Sequence, residues 1–258
     1  MRSRPSLLTR ALEPLADGLW VMFAIVSFFV GAIWMVAFDD TQLARWVLNR
    51  DLFRTLQWLL QHLDFVWITL AATSAYLCLA AREGLGSARR CGLIILLAVV
   101  ALAWISTRTS FPLGSIQYGR LLGARFGSVP LGLPLFWFAV IVGAREALLH
   151  SFPRWSHRRV ALGTGLIAAW TDINLEPLAA KLRGFWFWRS SSPDIPPGFD
   201  APLIGYVAWG LLAGLVSLAM REKSVVASSR PRPWQPAATL LIFHLVFLAA
   251  HVGRWLRN

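Results

Sequence analysis

The sequence predicts an all-α bundle of membrane-spanning helices, and three observations lead there. Hydrophobic residues make up 57% of the 258 and charged residues only 15%, well below the roughly 25% charged share of soluble domains. The apolar residues fall into long runs instead of alternating with polar ones, as a bilayer demands when a spanning helix needs about 20 of them. The basic residues sit almost wholly in short segments between these runs, where topology signals and lipid-headgroup contacts belong.

Seven runs are candidates to span: Leu19–Phe38, Phe65–Ala81, Cys91–Thr107, Val129–Ala144, Val160–Ala180, Ala201–Met220 and Ala237–Gly253. Backbone groups in hydrocarbon must bond within their own segment, so runs this long and unalternating are helices. The first lacks a small-residue cleavage site and is expected to stay as a helix rather than serve as a signal peptide. Between the first two runs, Leu43, Val47, Leu52, Phe53, Leu56, Leu60 and Leu63 recur at roughly helical spacing among Arg45, Arg50, Asp51 and Arg54. That pattern predicts an interfacial amphipathic helix over about 41–63. The whole chain, 1–258, is expected to form a single integral membrane domain in the cell membrane.

With seven spans, residues 1–18, 82–90, 145–159 and 221–235 share the N-terminal side and carry 14 Lys and Arg against 11 on the other. The excess favours a cytoplasmic N-terminus. The longer loops 39–64, 108–128 and 181–200 then open on the opposite face, where chemistry is to be sought. The net charge of +12 does not point to nucleic acid, because no loop is long enough to build a basic domain around a strand or duplex.

The fifth run contains Thr171-Asp172-Ile173-Asn174-Leu175-Glu176-Pro177. Asp172 and Glu176 are slightly more than one turn apart and project from one helix face. A carboxylate in a membrane segment costs several kcal/mol unless paired, protonated or wetted. Two readings stay open: an internal ion pair with Arg108, Lys181 or Arg183, or catalysis and ligand binding. Pro177 would kink the helix or free a carbonyl beside the pair. Gly184-Phe185-Trp186-Phe187-Trp188 and, after a Pro/Gly/Ser-rich loop, Trp209 follow. These tryptophans suit either an interfacial aromatic belt or a pocket whose π faces stabilise a cation. The loop before the fourth run, beginning Phe111-Pro112-Leu113-Gly114, brings Tyr118 to the same face.

Other chemistries find little support. The five histidines form no cluster of the HxxxH kind that holds iron in membrane oxygenases. His244 and His251 share a face of the last run, where structural roles suffice. There is no glycine-rich phosphate loop, GxSxG elbow or HExxH motif. A membrane prenyltransferase would need a second acidic motif besides Asp172/Glu176. Cys78 and Cys91 form no CxxC and are expected to act as small apolar residues.

The order FPLG, Tyr118, LLG, VPL, then Asp172, Glu176-Pro177, Trp186 and Trp188, then a loop into Ala201-Pro202-Leu203 and Trp209, resembles the carotenoid biosynthesis protein family that includes bisanhydrobacterioruberin and acyclic carotenoid hydratases. The resemblance covers about residues 104–213. It implies a carbon–oxygen lyase that adds water to the terminal double bond of an acyclic carotenoid, drawn from the lipid, without cofactor or metal. It implies Asp172 as general acid, since apolar surroundings favour the neutral form of a carboxyl group. Glu176 would position the water, Tyr118 would donate or relay a proton, and Trp186, Trp188, Trp209, Phe111 and Tyr206 would bind the substrate. One departure stands out: where the family's loop carries Asn-Phe, this chain has Gly205-Tyr206. Another isoprenoid-modifying enzyme, or a transporter or lipid-binding protein using the carboxyl pair, remains the alternative.

Overall fold

The computed structural model describes residues 7–36, 49–188, 195–196, 199–220 and 233–257. Its described residues form an all-α bundle: α1 (Leu7–Val36), α2 (Arg50–Glu83), α3 (Leu85–Thr109), α4 (Gly132–Ser151), α5 (His157–Pro177), α6 (Leu203–Ala219) and α7 (Gln235–Arg257). Four short strands accompany them: β1 (Ile116–Tyr118), β2 (Arg125–Phe126), β3 (Val129–Pro130) and β4 (Trp186–Trp188).

Five helices, α1, α2, α3, α4 and α7, are long and apolar enough to cross a membrane. The two remaining predicted spans fall short for separate reasons. Helix α5 carries His157, Arg158, Arg159, Asp172 and Glu176, which lower its hydropathy. Helix α6 is apolar but only 17 residues long, a rise of about 25 Å. The fourth predicted run also begins too early, because Val129 and Pro130 form β3 and α4 starts at Gly132.

A second difference concerns the amphipathic segment. Its residues 41–48 lie outside the described residues, but from Arg50 onward it is continuous with the second span as one 34-residue helix. The cause is local. Asn49 caps the helix by accepting hydrogen bonds from Asp51 N at 2.9 Å and Leu52 N at 3.0 Å, and no Gly or Pro interrupts the chain before Gly84.

Helix α4 is the central element. It packs against α7, α2, α5 and α3, and 89% of its apolar window is buried, against 28% for α1 and 33% for α3. Helices α1, α2 and α7 close around an aromatic core of Phe23, Trp34, Trp67, Phe243 and Phe247. Its indole N–H groups are satisfied: Trp67 Nε1 donates to Ser27 Oγ at 2.7 Å and Trp34 Nε1 to Asp64 Oδ1 at 3.0 Å. At the end away from the predicted site loops, buried Glu146 accepts from Arg82 at 2.7 Å and Arg145 at 3.2 Å.

Helices α5 and α6 pack through small residues, which let their backbones approach closely. A Cβ on Gly165 would come within 2.6 Å of Gly210 O, so only glycine allows this approach. Gly165→Val is expected to lower stability by about 1–3 kcal/mol, measured by thermal unfolding in detergent. Gly18→Ala, whose Cβ would meet nothing within 4 Å, should leave stability nearly unchanged.

Candidate active site

The three long loops predicted to open on one face do meet. Strand β1, from the 108–128 loop, pairs antiparallel with β4, from the 181–200 loop, in the register Ile116 with Trp188, Gln117 with Phe187 and Tyr118 with Trp186. Asp64, at the end of the 39–64 segment, joins them through Arg183, whose Nε and Nη2 lie 2.9 and 2.5 Å from Asp64 Oδ2.

Pro177 ends α5, and the chain continues through a π-helical turn, Leu178–Arg183. Gly184 then takes a left-handed conformation, φ 63°, which reverses the chain into β4. Gly119 N donates to Phe185 O at 2.7 Å. A Cβ on Gly119 would lie 2.0 Å from Gly184 O, so the two loops touch backbone to backbone. Along β4 the side chains alternate, with Trp186 buried, Phe187 exposed and Trp188 partly buried. Both tryptophans therefore turn inward toward α5.

There they meet Glu176. Its Oε1 accepts the indole N–H of Trp186 at 2.8 Å and that of Trp188 at 2.5 Å. Asp172, one turn earlier and 3% exposed, has its Oδ1 buried without a hydrogen-bond partner among the described residues. The Tyr118 hydroxyl is buried and unpartnered in the same way. Asp172, Glu176, Tyr118, Trp186, Trp188 and Trp209 line one cavity together with Leu113, Ile116, Leu133, Ala201 and Gly205. Its free space of about 10 Å³ is close to what a single water needs.

Of the two readings left open for the carboxyl pair, the internal ion pair finds no partner among the described residues. Arg183 is held by Asp64, Lys181 pairs with Asp200, and Arg108 lies over the Trp104 ring, 5.6 Å from its centroid. The tryptophans point into the cavity instead of forming a belt. Trp209 stacks on Trp137 at 4.3 Å, and Tyr118 meets Trp186 edge to face at 6.4 Å.

Two residues expected to bind substrate are not among the cavity's lining residues, although Tyr206 stays within electrostatic reach of Glu176 and Asp172. Phe111 is 62% exposed, outside the cavity lining. Tyr206 is buried against Phe199 at 6.0 Å, and its neighbour Gly205 faces the cavity in its place. A Cβ on Gly205 would meet only Leu113 O, at 3.7 Å, so the wall has room there for a side chain. Asp64 was not singled out in the sequence, because its role depends on Arg183, far away in the chain. His251 and His244 reach Asn174 O at 2.9 Å and Thr171 Oγ1 at 3.4 Å. They tie α7 to the back of α5, a structural role. Among the described residues, no three His, Cys, Asp or Glu side chains come together as metal ligands.

The described residues thus combine five helices long and apolar enough to cross a membrane with a buried carboxyl pair walled by tryptophans. The chain belongs to the carotenoid biosynthesis protein family, which matches residues 62–256. Among individual proteins it is similar to the bisanhydrobacterioruberin hydratase of Haloarcula japonica, 30% identical over 138 residues. The matched stretch is 51% of this chain and 45% of that protein, so the chain spans under half of its relative's length. No solved structure matches the chain.

Two outcomes follow from the site's geometry. Asp64→Asn leaves Arg183 without its counter-charge in a buried setting, and is expected to cost about 3–5 kcal/mol in thermal unfolding. Lys181→Ala, which removes an exposed ion pair, should cost about 1 kcal/mol or less.

Burial, with the nearby Glu176 and Asp172, raises the Tyr118 phenol well above its ordinary 10.0. An unfolded chain releases that proton near pH 10 while the folded one retains it. The folded state therefore binds more protons above pH 10, and stability falls as pH rises past that point. Tyr118→Phe should flatten the decline when unfolding is followed from pH 9 to 11.

Proposed function

We propose that this protein hydrates a terminal C=C bond of an acyclic carotenoid by protonation and water capture. The observation that carries the reading is the asymmetry of the carboxyl pair. Glu176 receives two indole N–H bonds on one oxygen, whereas Asp172 Oδ1, one turn away, stands buried with no hydrogen-bond partner among the described residues. Two charge-assisted donors suit a carboxylate. A carboxyl group in apolar surroundings, beside that carboxylate, suits a neutral acid.

The chemistry follows from this difference. Asp172 gives its proton to the less substituted alkene carbon, and the electrons of the double bond form the new C–H bond. A tertiary carbocation remains, shielded by the π faces of Trp186, Trp188 and Trp209. Water adds through its oxygen to the cation and passes a proton to Glu176, leaving a tertiary alcohol. Transfer of that proton from Glu176 to Asp172 restores the starting state, so the net change is the addition of one water. Tyr118, with its hydroxyl in the same cavity, orients the water. The cavity's small free space matches one water and not an isoprenoid end, so the substrate enters with a shift of the aromatic walls.

In this reading the bundle is a multi-pass protein of the cell membrane, with a cytoplasmic N-terminus and the site at the opposite face. The resemblance of residues 62–256 to the family and of a 138-residue stretch to a named hydratase supports the substrate class.

Expression in a bacterium that accumulates an acyclic carotene tests the reading. The intact chain should yield pigment heavier by the mass of one water for each hydrated end. Asp172→Asn and Glu176→Gln should each lower the yield by about 100-fold or more, with the protein still in the membrane fraction. Unaltered pigment from the intact, membrane-inserted chain would reject hydration of that carotene. Unaltered yield from Asp172→Asn would reject the acid role.

A further inference from the structure

Away from the carboxyl pair, α2, α3 and α4 leave an open lateral groove of about 450 Å³, within the 300–1,000 Å³ range of small-molecule sites. Its walls include Tyr76 from α2, Arg89, Gly92 and Leu96 from α3, and Leu135 and Phe138 from α4. The lining is apolar apart from Arg89, Thr73 and the Tyr76 phenol, and it holds no carboxylate. The nearby Glu83 is engaged by Ser87, whose hydroxyl donates to it at 3.0 Å.

The order of groups along the groove is informative. Arg89 lies four residues inside the start of α3, about 6 Å along the axis, near the end of a helix long and apolar enough to cross a membrane. Gly92, Leu93 and Leu96 follow at helical spacing on the same face, reaching about 10 Å deeper. Leu135 and Phe138 complete the deep end. A cation at the rim above an apolar trough matches a phosphate above an acyl chain. Arg89 is exposed and makes no hydrogen bond or ion pair with the described residues, so none of them neutralises its charge. A neutral polyene would leave that charge unused. Basic pockets between membrane helices at headgroup depth recognise lipid phosphates in this manner.

We propose that this groove binds one anionic phospholipid, with its phosphate on Arg89 and an acyl chain along Gly92, Leu96 and Leu135. The inference is independent of the hydration reading. Gly92 gives the groove its width, since a Cβ there would approach Phe138 at 3.8 Å and Tyr76 at 3.9 Å.

The test is native mass spectrometry of the full chain in mild detergent, delipidated and then titrated with phosphatidylglycerol or with phosphatidylcholine of the same chains. Phosphatidylglycerol should saturate at one retained lipid and be held more tightly than phosphatidylcholine. Arg89→Gln should weaken its retention about fivefold, equivalent to the ~1 kcal/mol of one arginine near an anionic surface. Leu96→Trp keeps the charge but fills the trough, and should weaken retention of both lipids. It also serves as the deciding variant if Arg89→Gln does not fold, which size-exclusion chromatography shows. Equal retention of the two lipids, graded uptake without a one-lipid plateau, or variants that bind as the parent does would each overturn the proposal. So would a co-purifying isoprenoid that phosphatidylglycerol fails to displace.

Discussion

Burying a carboxyl group away from water costs several kcal/mol, and α5 buries two of them one turn apart. Much of the surrounding structure compensates for that cost. Glu176 is met by two indole N–H groups, which requires β4 to present Trp186 and Trp188 on one face. Strand β4 in turn exists because β1 pairs with it and because the π-helical turn and Gly184 redirect the chain after Pro177. The Asp64–Arg183 pair anchors that turn to α2. It also occupies the buried guanidinium nearest in sequence to the carboxyl pair, which would otherwise be the natural counter-ion.

This division of charges separates two designs that the composition alone treats alike. A buried acid beside a cation is a salt bridge, fixed in its ionised form and chemically quiet. A buried acid beside another acid and neutral hydrogen-bond donors can share a proton within the pair. Here the described cations of the same loop are committed elsewhere, Arg183 to Asp64 and Lys181 to Asp200. The lateral groove on α2, α3 and α4 shows the reverse arrangement, a cation at the rim of an apolar trough with no described counter-charge.

Much of this was legible in the sequence, for physical reasons that differ by element. Long apolar runs identify helices because lipid leaves the backbone no other partner, and five such runs match membrane-length helices. The carboxyl pair was legible because four-residue spacing fixes a shared helix face. Helix continuity from Arg50 to Glu83 was hidden by a change of composition at Phe65, although no breaker accompanies that change. The β1–β4 ribbon has three residues per strand, too few for a periodic signal, and its pairing joins distant loops. Asp64 looked like one more polar residue on an amphipathic face until its long-range partner gave it a role. Phe111, singled out by its motif, faces outward, since the motif fixes a turn and says little about which side chain points in.

The indole grip on Glu176 has a consequence for traffic through the site. The cavity sits where the bundle meets its loops, with helices α4, α5 and α6 on one side and the β1–β4 ribbon on the other. Two reactants that avoid each other in bulk, an oily chain and a water molecule, would have to arrive by separate doors. The two N–H bonds that hold the Glu176 carboxylate also tie the ribbon to α5, beside a free space that matches one water. In the proposed reaction, parting the ribbon to admit a second water would break those bonds and displace the proposed base in one motion, so the same contacts that bury the carboxylate would keep the site dry.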